Sequence, residues 1–126
     1  MNYNPLVSII CLCYNHEKFV PLALQSVIDQ TYPNIELIIV DDCSNDGSST
    51  AIKEWLRQHP EIVFIENTTN KGNTKSFNAA FAVSKGDYII DLAADDILNT
   101  NAVELQLEAF RTSIYDNLGI VYGNVE

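Results

Sequence analysis

Seven consecutive residues, Val7-Ser8-Ile9-Ile10-Cys11-Leu12-Cys13, are apolar apart from Ser8, and that run constrains the fold more than any other feature of the chain. A strand with one wet face alternates apolar and polar side chains. An almost unbroken apolar run needs cover on both faces, as in a parallel sheet flanked by helices. After Tyr14-Asn15-His16 the period changes: within residues 18–30, Phe19, Ala23 and Val27 sit beside Val20, Leu24 and Ile28 at helical spacing, and Pro21 falls in the first turn, where it is tolerated.

The alternation then repeats. Pro33-Asn34 breaks the chain, and Leu37-Ile38-Ile39-Val40 predicts a second buried strand that stops at Asp41-Asp42. Ile52, Trp55 and Leu56 mark the inner face of a second helix ending near His59-Pro60, and Ile62-Val63-Phe64-Ile65 is a third strand. Phe77, Ala80, Phe81 and Ser84 define a third helix closed by Lys85-Gly86, and Tyr88-Ile89-Ile90 is a fourth strand running into an acidic loop, residues 91–96. Val103, Leu107, Phe110 and Ile114 line one more helix, and residues 119–122 read as a fifth strand. Short strands alternating with longer helices predict an α/β fold of Rossmann-like type, a mostly parallel sheet with helices on both faces, in one domain over residues 1–126. The last apolar strand predicts further structure beside it.

Composition narrows the partners. The 17 acidic residues against 7 basic give a formal charge of -10, which repels nucleic acid and anionic membrane faces. An acidic chain can still bind a pyrophosphate where a metal ion supplies local positive charge, so the balance favours a metal cofactor. Cys11, Cys13 and Cys43 lack metal-ligand spacing and read as small buried hydrophobes in a reducing compartment. The first five residues carry no secretory pattern, and no apolar run approaches the ~20 residues of a membrane span. The expected location is the cytoplasm, with association at the inner face of the membrane left open for a longer parent protein.

In an open parallel sheet every strand's carboxyl end reaches one edge, where ligands bind. Four loops meet there: Tyr14-Asn15, Asp41-Asp42, residues 67–73, and the loop carrying Asp91, Asp95 and Asp96. An aromatic ring stacks on a base, and a carboxylate accepts a hydrogen bond from a base N–H or a ribose hydroxyl. A second acidic pair offers the hard oxygen ligands that Mg²⁺ or Mn²⁺ takes alongside substrate phosphates. Neither GxxxxGK[ST] nor GxGxxG follows the first strand, and there is no GxSxG elbow.

Three ordered segments carry a resemblance. They are the run from Val7 to Asn15; the run Gln30-Thr31-Tyr32-Pro33-Asn34-Ile35-Glu36-Leu37-Ile38-Ile39-Val40-Asp41-Asp42-Cys43-Ser44-Asn45-Asp46-Gly47-Ser48; and Gly86-Asp87-Tyr88-Ile89 leading to Ala94-Asp95-Asp96. Together they resemble the amino-terminal half of family-2 glycosyltransferases with the GT-A fold. The resemblance implies a nucleotide sugar as donor, most simply a UDP-sugar, with Mn²⁺ or Mg²⁺ as cofactor. It implies transfer with inversion to a glycan or lipid-linked acceptor in cell-surface polysaccharide synthesis.

It also implies roles for particular residues. Tyr14 matches the aromatic that packs on uracil, with Leu12, Cys13 and Asn15 beside the nucleoside; Asp42 matches the acid that hydrogen-bonds the base, while Asp41 braces the loop. Asp95 matches the metal-binding acid, with Asp96 beside it. Two departures stand out: Ala93 replaces a ribose-facing carboxylate, and Phe77 stands where an Arg is common. Lys71, in the intact Asn70-Lys71-Gly72 turn, and Lys75 are assigned to the nucleotide as the nearby positive charges. The catalytic base of such enzymes follows the matched part, so it is expected beyond Glu126.

A phosphate-accepting receiver domain shares the alternating plan, but its acidic pair should follow the first strand, which here ends in Tyr14-Asn15. A nucleotidyltransferase, or a nucleotide-binding module without glycosyl transfer, remains the alternative.

Overall fold

A computed structural model describes residues 3–112. The elements alternate throughout: β1 (Val7–Cys13), α1 (Val20–Ile28), β2 (Ile35–Asp41), α2 (Ser48–Leu56), β3 (Val63–Glu66), α3 (Asn73–Val83), β4 (Tyr88–Ala93) and α4 (Ala102–Arg111). The strands form one parallel sheet in the order β3-β2-β1-β4. The expected α/β class is therefore observed, and the expected strand at 119–122, with Ile114, lies outside the described residues.

The apolar run of β1 behaves as its composition demands. Ile9, Cys11 and Cys13 join a core built with Val20, Ala23 and Leu24 of α1, Ile52 of α2 and Val103 and Leu107 of α4. Alternate residues point the other way: Ile10 packs with Ile38, Val40 and Ala80, and Leu12 and Phe77 pack against that second cluster. Ile9, Ile10, Leu24, Ile38, Ile39, Ile52 and Leu92 are almost wholly buried, each worth ~1.5–3 kcal/mol against exposure. That burial holds three layers together although the helices lack side-chain caps: α1, α2, α3 and α4 begin at Phe19, Gly47, Gly72 and Asn101 without a capping hydrogen bond.

Register aligns the carboxyl ends. Cys13 lies opposite Asp41, Asp41 opposite Glu66, and Leu12 opposite Ala93. Tyr14, Asp42, Asn67 and Ala94 therefore leave the sheet at one edge.

The other edge has its own clasp. Buried Ser8 donates from its hydroxyl to Glu36 Oε1 at 2.8 Å and accepts from the Gly86 N–H at 2.9 Å, while the Lys85 N–H donates to the same Glu36 oxygen at 2.7 Å. The turn between α3 and β4 is thus tied to the starts of β1 and β2.

Candidate nucleotide site at the carboxyl edge

Short polar side chains lace the first two loops together. Asn15, in a left-handed conformation with φ 58°, donates its N–H to Ser44 Oγ at 3.0 Å and accepts the Asn45 N–H on Oδ1 at 2.8 Å. The His16 N–H donates to Ser48 Oγ at 2.9 Å, the Glu17 N–H to Asp46 Oδ2 at 3.3 Å, and the Gly47 N–H to Glu17 Oε1 at 3.1 Å. Asp46 also accepts the Ser48 N–H and hydroxyl. Burial alone would push its carboxyl up, but these donors outweigh it and hold the group below the usual carboxylate range.

The acidic pair after β2 faces inward. Asp41 accepts the Ser44 N–H at 3.1 Å and its hydroxyl at 2.6 Å, bracing the second loop. Asp42, only 5% exposed, reaches across to the third loop: Oδ1 accepts the Lys71 N–H at 2.7 Å and Asn67 Nδ2 at 3.0 Å, and Oδ2 accepts the Gly72 N–H at 2.9 Å. Asn67 Nδ2 also donates to Ser76 Oγ of α3 at 3.0 Å. Here too burial pushes the carboxyl up and the donors more than reverse it, leaving Asp42 below its ordinary value. Three of its four lone-pair positions are engaged within the protein, so the group assigned to the base is also the tie between two loops.

The acidic turn after β4 is anchored from below. Ala94 N–H donates to Leu12 O at 3.0 Å and Asp96 N–H to Ala93 O at 3.0 Å. Beyond it the Leu98 N–H donates to Ser26 Oγ of α1 at 3.1 Å, and buried Gln30 spans the gap, giving Nε2 to Asn99 O at 2.6 Å and accepting the Val103 N–H at 3.1 Å. Ser26 and Gln30 were not singled out from sequence as supports of this turn, because nothing in their spacing names a partner some seventy positions away.

Between these loops and α3 lies an open cleft of about 570 Å³, lined by Leu12, Tyr14, His16, Asn73, Thr74, Phe77, Asn78, Asp91, Ala93 and Asp96. Of the residues assigned from sequence, the structure brings Leu12, Tyr14 and Asp96 together on it. Tyr14 is exposed, and its hydroxyl accepts from Asn45 Nδ2 at 3.3 Å. The Cys13 thiol is turned into the opposite face of the sheet, since strand side chains alternate, and burial raises its pKa to about 11. Lys71 and Lys75 are exposed and do not line the cleft; Lys71 contributes its backbone N–H to Asp42.

Asp95 is exposed on the same turn as half-buried Asp96. Neither carboxylate accepts a hydrogen bond or joins an ion pair among the described residues, nor do three His, Cys, Asp or Glu side chains converge there as a metal cage. Two adjacent carboxylates with free lone pairs fit Mg²⁺ or Mn²⁺, which take few protein ligands and complete their shell with water and substrate phosphates.

A family model described as Glycosyl transferase family 2 matches residues 8–124. The chain belongs to that family. It is 34% identical over 121 residues to the UDP-Glc:alpha-D-GlcNAc-diphosphoundecaprenol beta-1,3-glucosyltransferase WfgD of Escherichia coli, an alignment covering 96% of this chain and 46% of that protein. Among solved structures it resembles the mannosyltransferase PcManGT from Pyrobaculum calidifontis in complex with GDP-Man and Mn²⁺, with a TM-score of 0.73 and 28% identity over 81% of this chain and 32% of that one. It also resembles S. aureus TarS 1-349 in complex with UDP-GlcNAc, with a TM-score of 0.75 and 26% identity over 84% of this chain and 31% of that one. The family-2 chain spans less than half the length of these relatives. Its fold is the Rossmann-like α/β arrangement of these GT-A glycosyltransferases. Among the described residues no helix is long and apolar enough to cross a membrane.

Proposed function

We propose that this chain binds the nucleoside diphosphate of an activated sugar in the cleft at the carboxyl edge, as the donor-binding part of a glycosyltransferase. The observation that carries the reading is the convergence of Leu12, Tyr14 and Asp96 on one cleft from β1, the first loop and the turn after β4. Tyr14 stacks on the base, and Leu12 forms the apolar floor beside it. Asp42, buried behind the rim, is the candidate acceptor for a base N–H. Asp95 and Asp96 would hold a divalent cation, whose charge would offset that of the diphosphate and of the departing nucleotide.

UDP is the nucleotide we favour, in keeping with the UDP-sugar named for WfgD and the UDP-GlcNAc bound to TarS. Transfer goes with inversion to a glycan or lipid-linked acceptor, in the synthesis of a surface polysaccharide on the cytoplasmic side of the membrane.

A ligand that binds only the folded state raises the melting temperature. UDP with Mn²⁺ is expected to stabilise the chain more than UDP or Mn²⁺ alone, and Asp95→Ala to remove the metal-dependent part of the shift. Equal shifts in the variant and the wild type would overturn the metal assignment. A larger shift with GDP, CDP or dTDP would overturn the choice of base.

A further inference from the structure

One carboxylate that lines the cleft, Asp91, is assigned neither to the nucleotide nor to the cation. Asp91 sits on β4 opposite Ile10, and Ala93 two residues on lies opposite Leu12. Side chains two apart on a strand share a face, and Leu12, Asp91 and Ala93 all line the cleft. Asp91 is exposed although it occupies the middle of a strand, two residues beyond Ile89, which packs on the same face against the cluster shared with α3. Its carboxylate takes part in no hydrogen bond or ion pair among the described residues. Partial burial against the sheet nevertheless holds its pKa above the ordinary value, which marks a charge imperfectly served by solvent.

The lining as a whole contains two aspartates, Asp91 and Asp96, and no Lys or Arg, and His16, on the first loop, is the one lining side chain able to take up a positive charge. Across from β4 the wall is Phe77, whose ring stacks with that of Phe81 at a centroid distance of 6.3 Å, with Thr74 and Asn78 as its polar neighbours on α3. A cation on Asp95 and Asp96 balances the diphosphate but leaves Asp91 as an unpaired negative charge facing whatever else the donor carries.

We infer that Asp91 is a specificity-determining residue that restricts the donor to sugars bearing hydroxyls and no negative charge, accepting hydrogen bonds from a neutral sugar and repelling a uronate. This rests on the nucleotide-sugar reading of the same cleft. A donor carboxylate brought within about 7 Å of Asp91 would, at a near-surface dielectric and after screening by salt, lose roughly fivefold in affinity.

The test uses UDP-glucose and UDP-glucuronate as probes, which differ at one carbon by a hydroxymethyl group against a carboxylate. Their Kd values are measured by calorimetry with Mn²⁺ in the full chain, and the ratio of the two is the readout, so that a general loss of binding cancels. The wild type is expected to favour UDP-glucose by at least about fivefold, Asp91→Asn to bring the ratio within about twofold, and Asp91→Lys to invert it. A wild-type ratio near one, or a ratio that neither substitution moves, overturns the inference while UDP binding stands. Failure of UDP itself to bind overturns the nucleotide reading and the inference with it.

Discussion

Replacing Asp42 by Ala would separate the mechanical role of this carboxylate from its proposed contact with a base. The side chain is 5% exposed and accepts three hydrogen bonds, from the N–H groups of Lys71 and Gly72 and from Asn67 Nδ2. Bonds to a charged acceptor contribute roughly 1.5–3 kcal/mol each, and removing the acceptor leaves the donors to find water. Such terms in one network do not simply add, so the expected loss is about 3–5 kcal/mol. That is a large part of the ~5–15 kcal/mol available to a domain. Asp42→Asn keeps one oxygen to accept but loses the charge, and should cost about half as much. Asp29→Ala, which removes one exposed bond from Gln25, is the control, expected within ~0.5 kcal/mol of wild type.

Urea unfolding followed by circular dichroism measures all three variants. Acid adds an independent check. The folded-state pKa of Asp42 is depressed, so its contribution is complete above the unfolded pKa of ~4 and is lost as pH falls through the lower folded value. The gap between wild type and Asp42→Ala should therefore narrow as pH drops from about 5 towards 2. A cost below ~1 kcal/mol at neutral pH, or a gap independent of pH, would refute the claim that this charge ties the loops.

Three further outcomes follow from the same geometry. Gly86→Ala places a methyl group against Ser8 Oγ and 2.7 Å from the Ser8 nitrogen, so thermal unfolding should show a loss of roughly 1–3 kcal/mol; an unchanged melting temperature would disprove the close approach. Tyr14→Ala should weaken UDP binding by about tenfold or more while Tyr14→Phe stays within about threefold, as stacking requires, and calorimetry distinguishes stacking from a contact through the hydroxyl. In the folded protein iodoacetamide should label half-buried Cys43 well before buried Cys11 and Cys13, whose thiols burial pushes up and so keeps from the reactive thiolate, and peptide mapping reads the order.

The sheet was legible because burial on both faces writes itself into composition. β1 is observed over the seven residues expected, and the helical spacing at Ala23, Leu24 and Val27 faces the core as predicted. The ends were less legible. Sequence reading stops the fourth strand at Ile90 and places Asp91 in a loop, whereas β4 runs on to Ala93, since pairing with β1 continues while its α3-side face stays wet enough for a charge. The acidic pairs were visible, but the direction of Asp42 was not, because its donors are main-chain N–H groups some thirty positions away that carry no side-chain signal. The expectation that Lys75 substitutes for the missing Arg rests on its position alone. On α3 it is exposed and outside the cleft lining, where Asn73, Thr74, Phe77 and Asn78 stand instead.

The lacing of the first two loops separates support from recognition. Asn15, Asp41, Ser44, Asp46 and Ser48 spend their polar atoms on one another and on nearby main chain, whereas the Tyr14 ring and the Asp91 carboxylate take no part in that lacing. Such a rim can change what it touches by one substitution without loosening the loops beneath it.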